Sequence, residues 1–213
     1  LATDGSTGGR PLEGASTGFL VEQRSYTKKG EVAATPRSAA LSPDGRWLYL
    51  TGYTWDRGHP RGQAWFHGVG RIDLTSDAPL APFVGKLDRE GDGTAAGKFR
   101  CATSVACDGE GRVYVGDYMN NRIQVFSPEG KHLKSIAVKH PSVIEIDGKT
   151  GEIYVFSWYL KNRFITNTDR IPATFTRLGP LDDPRPRFTS ELPLNNYSDR
   201  NGLRWTGLEY SAA

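Results

Sequence analysis

The stretch from Phe99 to Ile136 decides how the chain is built. It runs Ser104-Val105-Ala106-Cys107-Asp108-Gly109, then Arg112-Val113-Tyr114-Val115-Gly116-Asp117, then Asn120-Asn121-Arg122-Ile123-Gln124-Val125-Phe126, then Pro128-Glu129-Gly130-Lys131. Short runs rich in Val, Ile, Tyr and Phe alternate with clusters of Gly, Asp, Asn and Pro, the pattern of short strands joined by tight turns. The segment reads as one four-stranded sheet module.

Parts of it recur on both sides. Ser38-Ala39-Ala40-Leu41-Ser42-Pro43-Asp44-Gly45-Arg46-Trp47-Leu48-Tyr49-Leu50 precedes it, and Ser142-Val143-Ile144-Glu145-Ile146-Asp147-Gly148-Lys149-Thr150-Gly151-Glu152-Ile153-Tyr154-Val155 follows. In each module an apolar strand meets an Asp-Gly pair (Asp44-Gly45, Asp108-Gly109, Asp147-Gly148) and then a strand with a central Tyr. Gly adopts and Asp tolerates the positive φ of tight hairpins, so these pairs are expected to form the turns. Ser, Ala and Val in the first strands suit an innermost strand where sheets converge. Consecutive apolar residues in Val113-Tyr114-Val115 suit a sheet packed on both faces. A four-stranded unit recurring at about 40 residues predicts an all-β fold, a β-propeller.

The remaining strands are expected at Gly68–Leu74 and Pro79–Gly85 in the first module, at Arg122–Phe126 and Leu133–Val138 in the second, and at Arg163–Thr168 and Ala173–Leu178 in the third. This gives one propeller domain over 1–213, with blades at 36–86, 99–137 and 138–190 and partial strands at 18–33 and 195–213. The first of these contains Gly18–Tyr26 and the second Leu203–Tyr210. No helical periodicity exceeds two turns.

Composition agrees. The chain has 213 residues, of which 25 are Gly and 13 Pro, enough for many tight turns. A net charge of +3, from 27 basic and 24 acidic residues interspersed along the chain, disfavours a dedicated nucleic-acid surface. No apolar run approaches the ~18 residues of a membrane span. The two cysteines, Cys101 and Cys107, would stand roughly 20 Å apart if both lay on one strand. A disulfide needs Cα atoms within about 7 Å, so both read as structural thiols.

Phe99-Arg100-Cys101-Ala102-Thr103-Ser104-Val105-Ala106-Cys107-Asp108, with Gly111 to Asp117 and Asn120 to Phe126, resembles an NHL repeat. The first and third modules resemble it more weakly, and the third lacks the Asn-Asn-Arg stretch. The resemblance implies a six-bladed propeller, which needs roughly 240 residues. The remaining blades or adjoining domains are therefore expected outside this chain. It also implies that binding occurs where the loops between second and third strands meet the loops between blades. The expected role is a non-catalytic module that presents this mouth to a protein, peptide or glycan. The alternative is an enzyme on the same fold, a gluconolactonase-like hydrolase or lyase holding a divalent metal at the axis. RNA binding, drawing on Arg57, Arg61, Arg100 and Lys161 beside aromatic residues, is a further reading that the small net charge disfavours.

Candidate ligand-binding residues follow from this placement. The long loop Tyr53 to His67 carries Trp55, Asp56, Arg57 and His59, a side wall of aromatic and charged groups or an excursion packed on its own blade. His140, before Pro141, falls at a blade junction on the same end. Asp117 closes an inner strand of the second blade, and Trp158 and Tyr159 hold the corresponding place in the third. Asp44, Gly45, Asp108, Gly109, Asn121, Arg122, Asp147 and Gly148 read as structural repeat positions. Asn121 tolerates positive φ, and Arg122 has five donors for nearby carbonyls. No cofactor is required. Calcium is conceivable at Asp88 to Gly93, but that run lacks the rest of an EF-hand. No G-x-S-x-G, phosphate-cradling or dinucleotide motif is present.

Overall fold

The structure, a computed structural model, describes residues 33–52, 54–56, 64–87, 91–158 and 172–192. Its strands are β1 (Ala33–Thr35), β2 (Ser38–Leu41), β3 (Trp47–Thr51), β4 (Thr54–Asp56), β5 (Ala64–Trp65), β6 (His67–Asp73), β7 (Ala81–Lys86), β8 (Ala102–Cys107), β9 (Val113–Asp117), β10 (Arg122–Phe126), β11 (His132–Ala137), β12 (Pro141–Ile146), β13 (Ile153–Ser157), β14 (Thr174–Leu178) and β15 (Pro186–Glu191). One 3-10 turn, Tyr118–Asn120, is the sole helical element among the described residues.

Twelve strands form three four-stranded antiparallel meanders: β2-β3-β6-β7, β8-β9-β10-β11 and β12-β13-β14-β15. These are the three blades. Their first strands lie side by side at the hub, with β8 touching β2 on one side and β12 on the other. Register makes the blades superimposable. Tyr49 faces Ala40, Tyr114 faces Ala106, and Tyr154 faces Glu145.

Two apolar seams hold the blades together. Tyr49, Val69 and Val84 of the first blade pack on Val105, Val113, Val115 and Phe126 of the second, with Phe99 between them. Tyr114, Ile123 and Val125 of the second pack on Ile144, Ile153, Val155 and Leu178 of the third. Full burial of each such side chain contributes on the order of 1.5–3 kcal/mol, which makes the seams the main cohesive force.

Hydroxyls reinforce the seams at the hub. Ser38 Oγ accepts the Val105 N–H at 3.0 Å, and Ser104 Oγ accepts the Ile144 N–H at 3.0 Å. Each innermost strand leaves edge amides facing the axis, and the preceding blade satisfies one of them. Ser104→Ala therefore strands a buried amide. It is expected to lower unfolding stability by about 1–2 kcal/mol, read from denaturant titration; no change would remove the hydroxyl from the seam.

The turns depart from expectation. Gly45 has φ 71°, but at the corresponding turns of the other two blades the positive-φ glycines are Gly111 and Gly151, not Gly109 and Gly148. The connections are longer than two-residue hairpins, so the chain reverses later. Asp108 and Asp147 work through their side chains instead. Asp108 Oδ1 accepts the N–H groups of Glu110 and Arg112, each at 3.0 Å, while its Oδ2 accepts Arg112 Nε–H at 2.6 Å and the Tyr114 hydroxyl at 2.9 Å. Asp147 Oδ1 accepts the N–H groups of Lys149 and Thr150. In the first blade Ser42 starts the turn, and Asp44 accepts the Arg46 N–H.

The third blade also differs. Its third strand is β14, paired directly with β13, and its fourth is β15, which the sequence reading left unassigned. Arg163–Thr168 lies outside the described residues, as do Gly18–Tyr26 and Leu203–Tyr210. Counted from the pairing of Glu145 with Tyr154, Val143, not Ser142, occupies the place of Ser38 and Ser104. The long loop of the first blade contains a short hairpin, β4 with β5, and β1 pairs across it with Ala34 opposite Trp55.

Candidate binding face at the blade mouths

At one end of the blades a continuous network crosses all three sheets. Tyr118, fully buried, is its pivot. Its N–H bonds the Cys101 carbonyl at 3.1 Å, and its hydroxyl donates to the Trp158 carbonyl at 3.0 Å. The His140 ring stacks on the Tyr118 ring at 4.6 Å and 21°. His140 itself has φ 47°, and its N–H is held by Asn121 Oδ1 at 3.1 Å. On the other side the Cys101 N–H donates to His67 Nδ1 at 3.1 Å, which places that ring's proton on Nε2. Trp158 donates its N–H to Ser142 Oγ and packs beside Met119 on the Cys101–Tyr118 cluster. Burial pushes the Cys101 thiol above its ordinary pKa and the Cys107 thiol up to about 12, so both stay protonated and inert at neutral pH.

Asp117 lies beneath this network with no exposed surface. Its carboxylate accepts the Arg100 N–H (2.8 Å), Asn120 Nδ2–H (2.9 Å), Arg122 Nε–H (2.7 Å) and Gln124 Nε2–H (3.0 Å). Desolvation raises its pKa against the pull of these donors. Arg122 also caps the carbonyls of Ala95 and Lys98, and Asn121 sits at φ 52°. Together these residues clamp the 91–100 connection onto the second blade.

Beside the mouth the first strands enclose a groove of about 210 Å³ along the hub. It is lined by Ser38, Thr103, Ser104 and Ser142, with Arg37 and Glu145 the charged residues on its walls. Thr103 Oγ1–H donates to the Pro141 carbonyl at 2.7 Å. Ser142 Oγ–H donates to the His140 carbonyl at 3.1 Å. Partial enclosure raises the Glu145 pKa above the ordinary glutamate value.

The structure brings Asp117, His140 and Trp158 to one end of the blades. There Asp117 and His140 are buried in the framework, and Trp158 is half-buried. Trp55 and Asp56 lie on β4, in the separate three-stranded sheet β1-β4-β5. Arg57, His59 and Tyr159 lie outside the described residues, as do Asp88 and Glu90. Asp92 lies within ion-pair range of Arg100, at 3.6 Å. Sequence reasoning missed Tyr118, Cys101 and Glu145. Only the alignment of Glu145 with Ala40 and Ala106, once register is known, marks it as unusual.

Residues 99–126 match the NHL repeat. No curated protein matches the chain. Among solved structures, a chain of the nidogen/laminin complex is 17% identical with TM-score 0.50, covering 76% of this chain and 51% of that one. XC5397, a gluconolactonase from Xanthomonas campestris, is 17% identical with TM-score 0.40, covering 56% and 34%. Regucalcin, a calcium-binding protein from Agrobacterium tumefaciens, is 18% identical with TM-score 0.41, covering 72% and 50%. The chain thus spans about half or less of the length of each of these structures. It carries an NHL repeat in its second blade, on a β-propeller fold.

Proposed function

We propose that this chain is part of a non-catalytic NHL-type propeller that presents its blade mouths and hub groove to a protein, peptide or glycan. The observation that supports this most is the engagement of the reactive side chains. Asp117 is saturated by donors, and the rings of His140 and His67 are packed into the seam between blades. The groove lining combines hydroxyl side chains and two charges with the apolar Ala39, Val105 and Val143, a mixture suited to hydrogen-bonded recognition of a ligand with apolar parts. The β4–β5 hairpin, with Trp55 and Asp56, forms the side wall in this reading, and Arg57 and His59 are proposed as ligand-contacting residues beside it in sequence.

The enzyme alternative needs an axial metal held by several carboxylate, amide or imidazole groups. Among the described residues no three His, Cys, Asp or Glu side chains come together in that way. The described residues alone do not make such a site, and no catalytic step follows from those residues.

The test is a glycan and peptide array probed with the full chain and with a variant lacking residues 57–63, its fold checked by circular dichroism. Specific hits that the deletion weakens at least tenfold are expected. Hits unchanged by the deletion would refute the mouth as the binding face. EDTA-sensitive lactone hydrolysis by the purified chain would refute the non-catalytic reading.

A further inference from the structure

Charge is divided between the two ends of the blades. Pairing sets Ser38 opposite Thr51, Ala102 opposite Asp117 and Pro141 opposite Ser157, so each first strand begins, and each second strand ends, at the mouth. Arg37, Lys86, Lys98, Arg100 and Lys139 stand exposed at that end, on strand termini or on links between strands. The carboxylates there are Asp92, within ion-pair range of Arg100, the saturated Asp117, Glu191 at the outer rim of the third blade, and Asp56 on β4. At the opposite end each of the six turns between paired strands of the blades holds at least one acid. Three arginines of that end are ion-paired: Arg46 with Asp73, Arg112 with Asp108 and Arg185 with Asp183.

The cations flank an apolar step. Met119 and Trp158 are half-buried and pack on the Cys101–Tyr118 cluster, leaving part of each open at the mouth. The Met119 N–H bonds the Arg100 carbonyl at 3.0 Å, which sets Arg100 beside this step. The Lys98 carbonyl accepts Gln124 Nε2–H at 2.7 Å and an Arg122 N–H at 3.1 Å, so the Asp117 clamp anchors the backbone at Lys98. Lys86 pairs with His67, whose ring accepts the Cys101 N–H. Among the described residues Lys86 and Lys98 have no ion-pair partner, and both are exposed. Their backbones are held while their ammonium groups stay in water.

We infer that the mouth docks an acidic, extended peptide segment, its carboxylates meeting Lys86, Lys98 and Arg100 and one apolar side chain resting on Met119 and Trp158. This rests on the reading of the blade mouths as a binding face and adds the partner's chemistry. Opposite charge across the contact steers the encounter and selects against basic partners, while the acidic turns turn the same peptide away from the far end. Single-stranded nucleic acid fits less well. It needs successive open rings to stack on, and the Tyr118 and His140 rings are buried against one another. Phosphate is held best by guanidinium forks, and the Arg122 fork is already engaged by Asp117 and the carbonyls of Ala95 and Lys98.

The test is fluorescence anisotropy of the full chain with three labelled probes: an Asp/Glu-rich peptide with a central Leu, its Lys-rich counterpart, and a short oligouridine. The acidic peptide is expected to bind with a dissociation constant on the order of 10–100 µM, the range of a small exposed interface, and to weaken about tenfold or more between about 50 and 500 mM NaCl. Lys86→Glu with Lys98→Glu should weaken it by about tenfold or more, and Met119→Gln by about threefold. Lys131→Glu with Lys149→Glu, the same charge change in exposed turns at the opposite end, should leave it within about twofold. Circular dichroism checks the fold of each variant. Absence of saturable binding by about 1 mM, equal affinity in the two double variants, or tighter binding of the oligouridine or the basic peptide overturns the inference. Array hits confined to neutral glycans and weakened by the 57–63 deletion would defeat it and leave the wider reading standing. Lactone hydrolysis beside intact acidic-peptide binding would defeat the non-catalytic reading and leave this inference standing.

Discussion

Asp117→Ala lowers unfolding stability by about 3–5 kcal/mol, the expected cost of removing one partner from a buried, hydrogen-bonded ion pair. The loss leaves Arg122 Nε–H, Gln124 Nε2–H and the Arg100 N–H without their acceptor in a place water does not reach. Arg122 keeps its bonds to the Ala95 and Lys98 carbonyls and is 18% exposed at its side chain, which holds the cost below that of a fully stranded charge. Asp117→Asn keeps the shape and removes the charge. Its amide oxygen can still receive the Arg100 N–H, but its NH2 then faces the Asn120 Nδ2–H, Arg122 Nε–H and Gln124 Nε2–H groups, donor against donor, so the expected loss is as large, about 3–5 kcal/mol. Guanidinium titration reads both. Since small domains hold only about 5–15 kcal/mol in reserve, the alanine variant should be near the edge of folding at 37 °C. If Asp117→Ala unfolded at the wild-type midpoint, the clamp would be ornamental and the carboxylate available for another task.

Gly85→Ala is the second large effect. Gly85 has φ 72°, and a methyl group there would sit 2.4 Å from the His67 carbonyl oxygen and 2.8 Å from the Phe99 ring. Left-handed backbone alone costs an alanine about 1–2 kcal/mol. The contact with backbone cannot be relieved by a rotamer change, because both strands are paired at that rung, Gly85 with Gly68 and Lys86 with His67. The expected total is about 3–4 kcal/mol in denaturant midpoint analysis, with exchange protection lost first along β6 and β7. Gly45→Ala is the control: it has a similar φ of 71° but nothing within 4 Å, so it should cost only the backbone share. Equal effects at the two sites would show that steric contact is irrelevant at Gly85.

Much of this architecture was legible before any coordinates. The Tyr-centred second strands and Ser/Ala-rich first strands put three blades in order, because strand pairing is dictated by local alternation and short turns. Arg122–Phe126 was placed to the residue. The third blade was harder. The connection after Ser157 is long, and a run such as Arg163–Thr168 has as much strand character as Thr174–Leu178, so only tertiary pairing decides which one joins β13. The turns were misplaced by two or three residues because Asp-Gly suggests a two-residue hairpin, whereas Asp108 closes a longer turn through its side chain. The site was less legible still. Asp117 and His140 were placed at the mouth, but burial is not written in a motif: Asp117 is held by residues 3, 5, 7 and 17 positions away, and His140 by residues 19 and 22 positions away. Glu145 looked ordinary until its pairing with Tyr154 set its register.

The serine hydroxyls at the hub have a direction. In both joints the acceptor lies on the earlier blade and the amide on the later one. As the polypeptide leaves the ribosome, each new innermost strand therefore emerges to find its docking oxygen already in place. The chain can ratchet forward one wedge at a time, with no finished wedge needing to reopen for its successor.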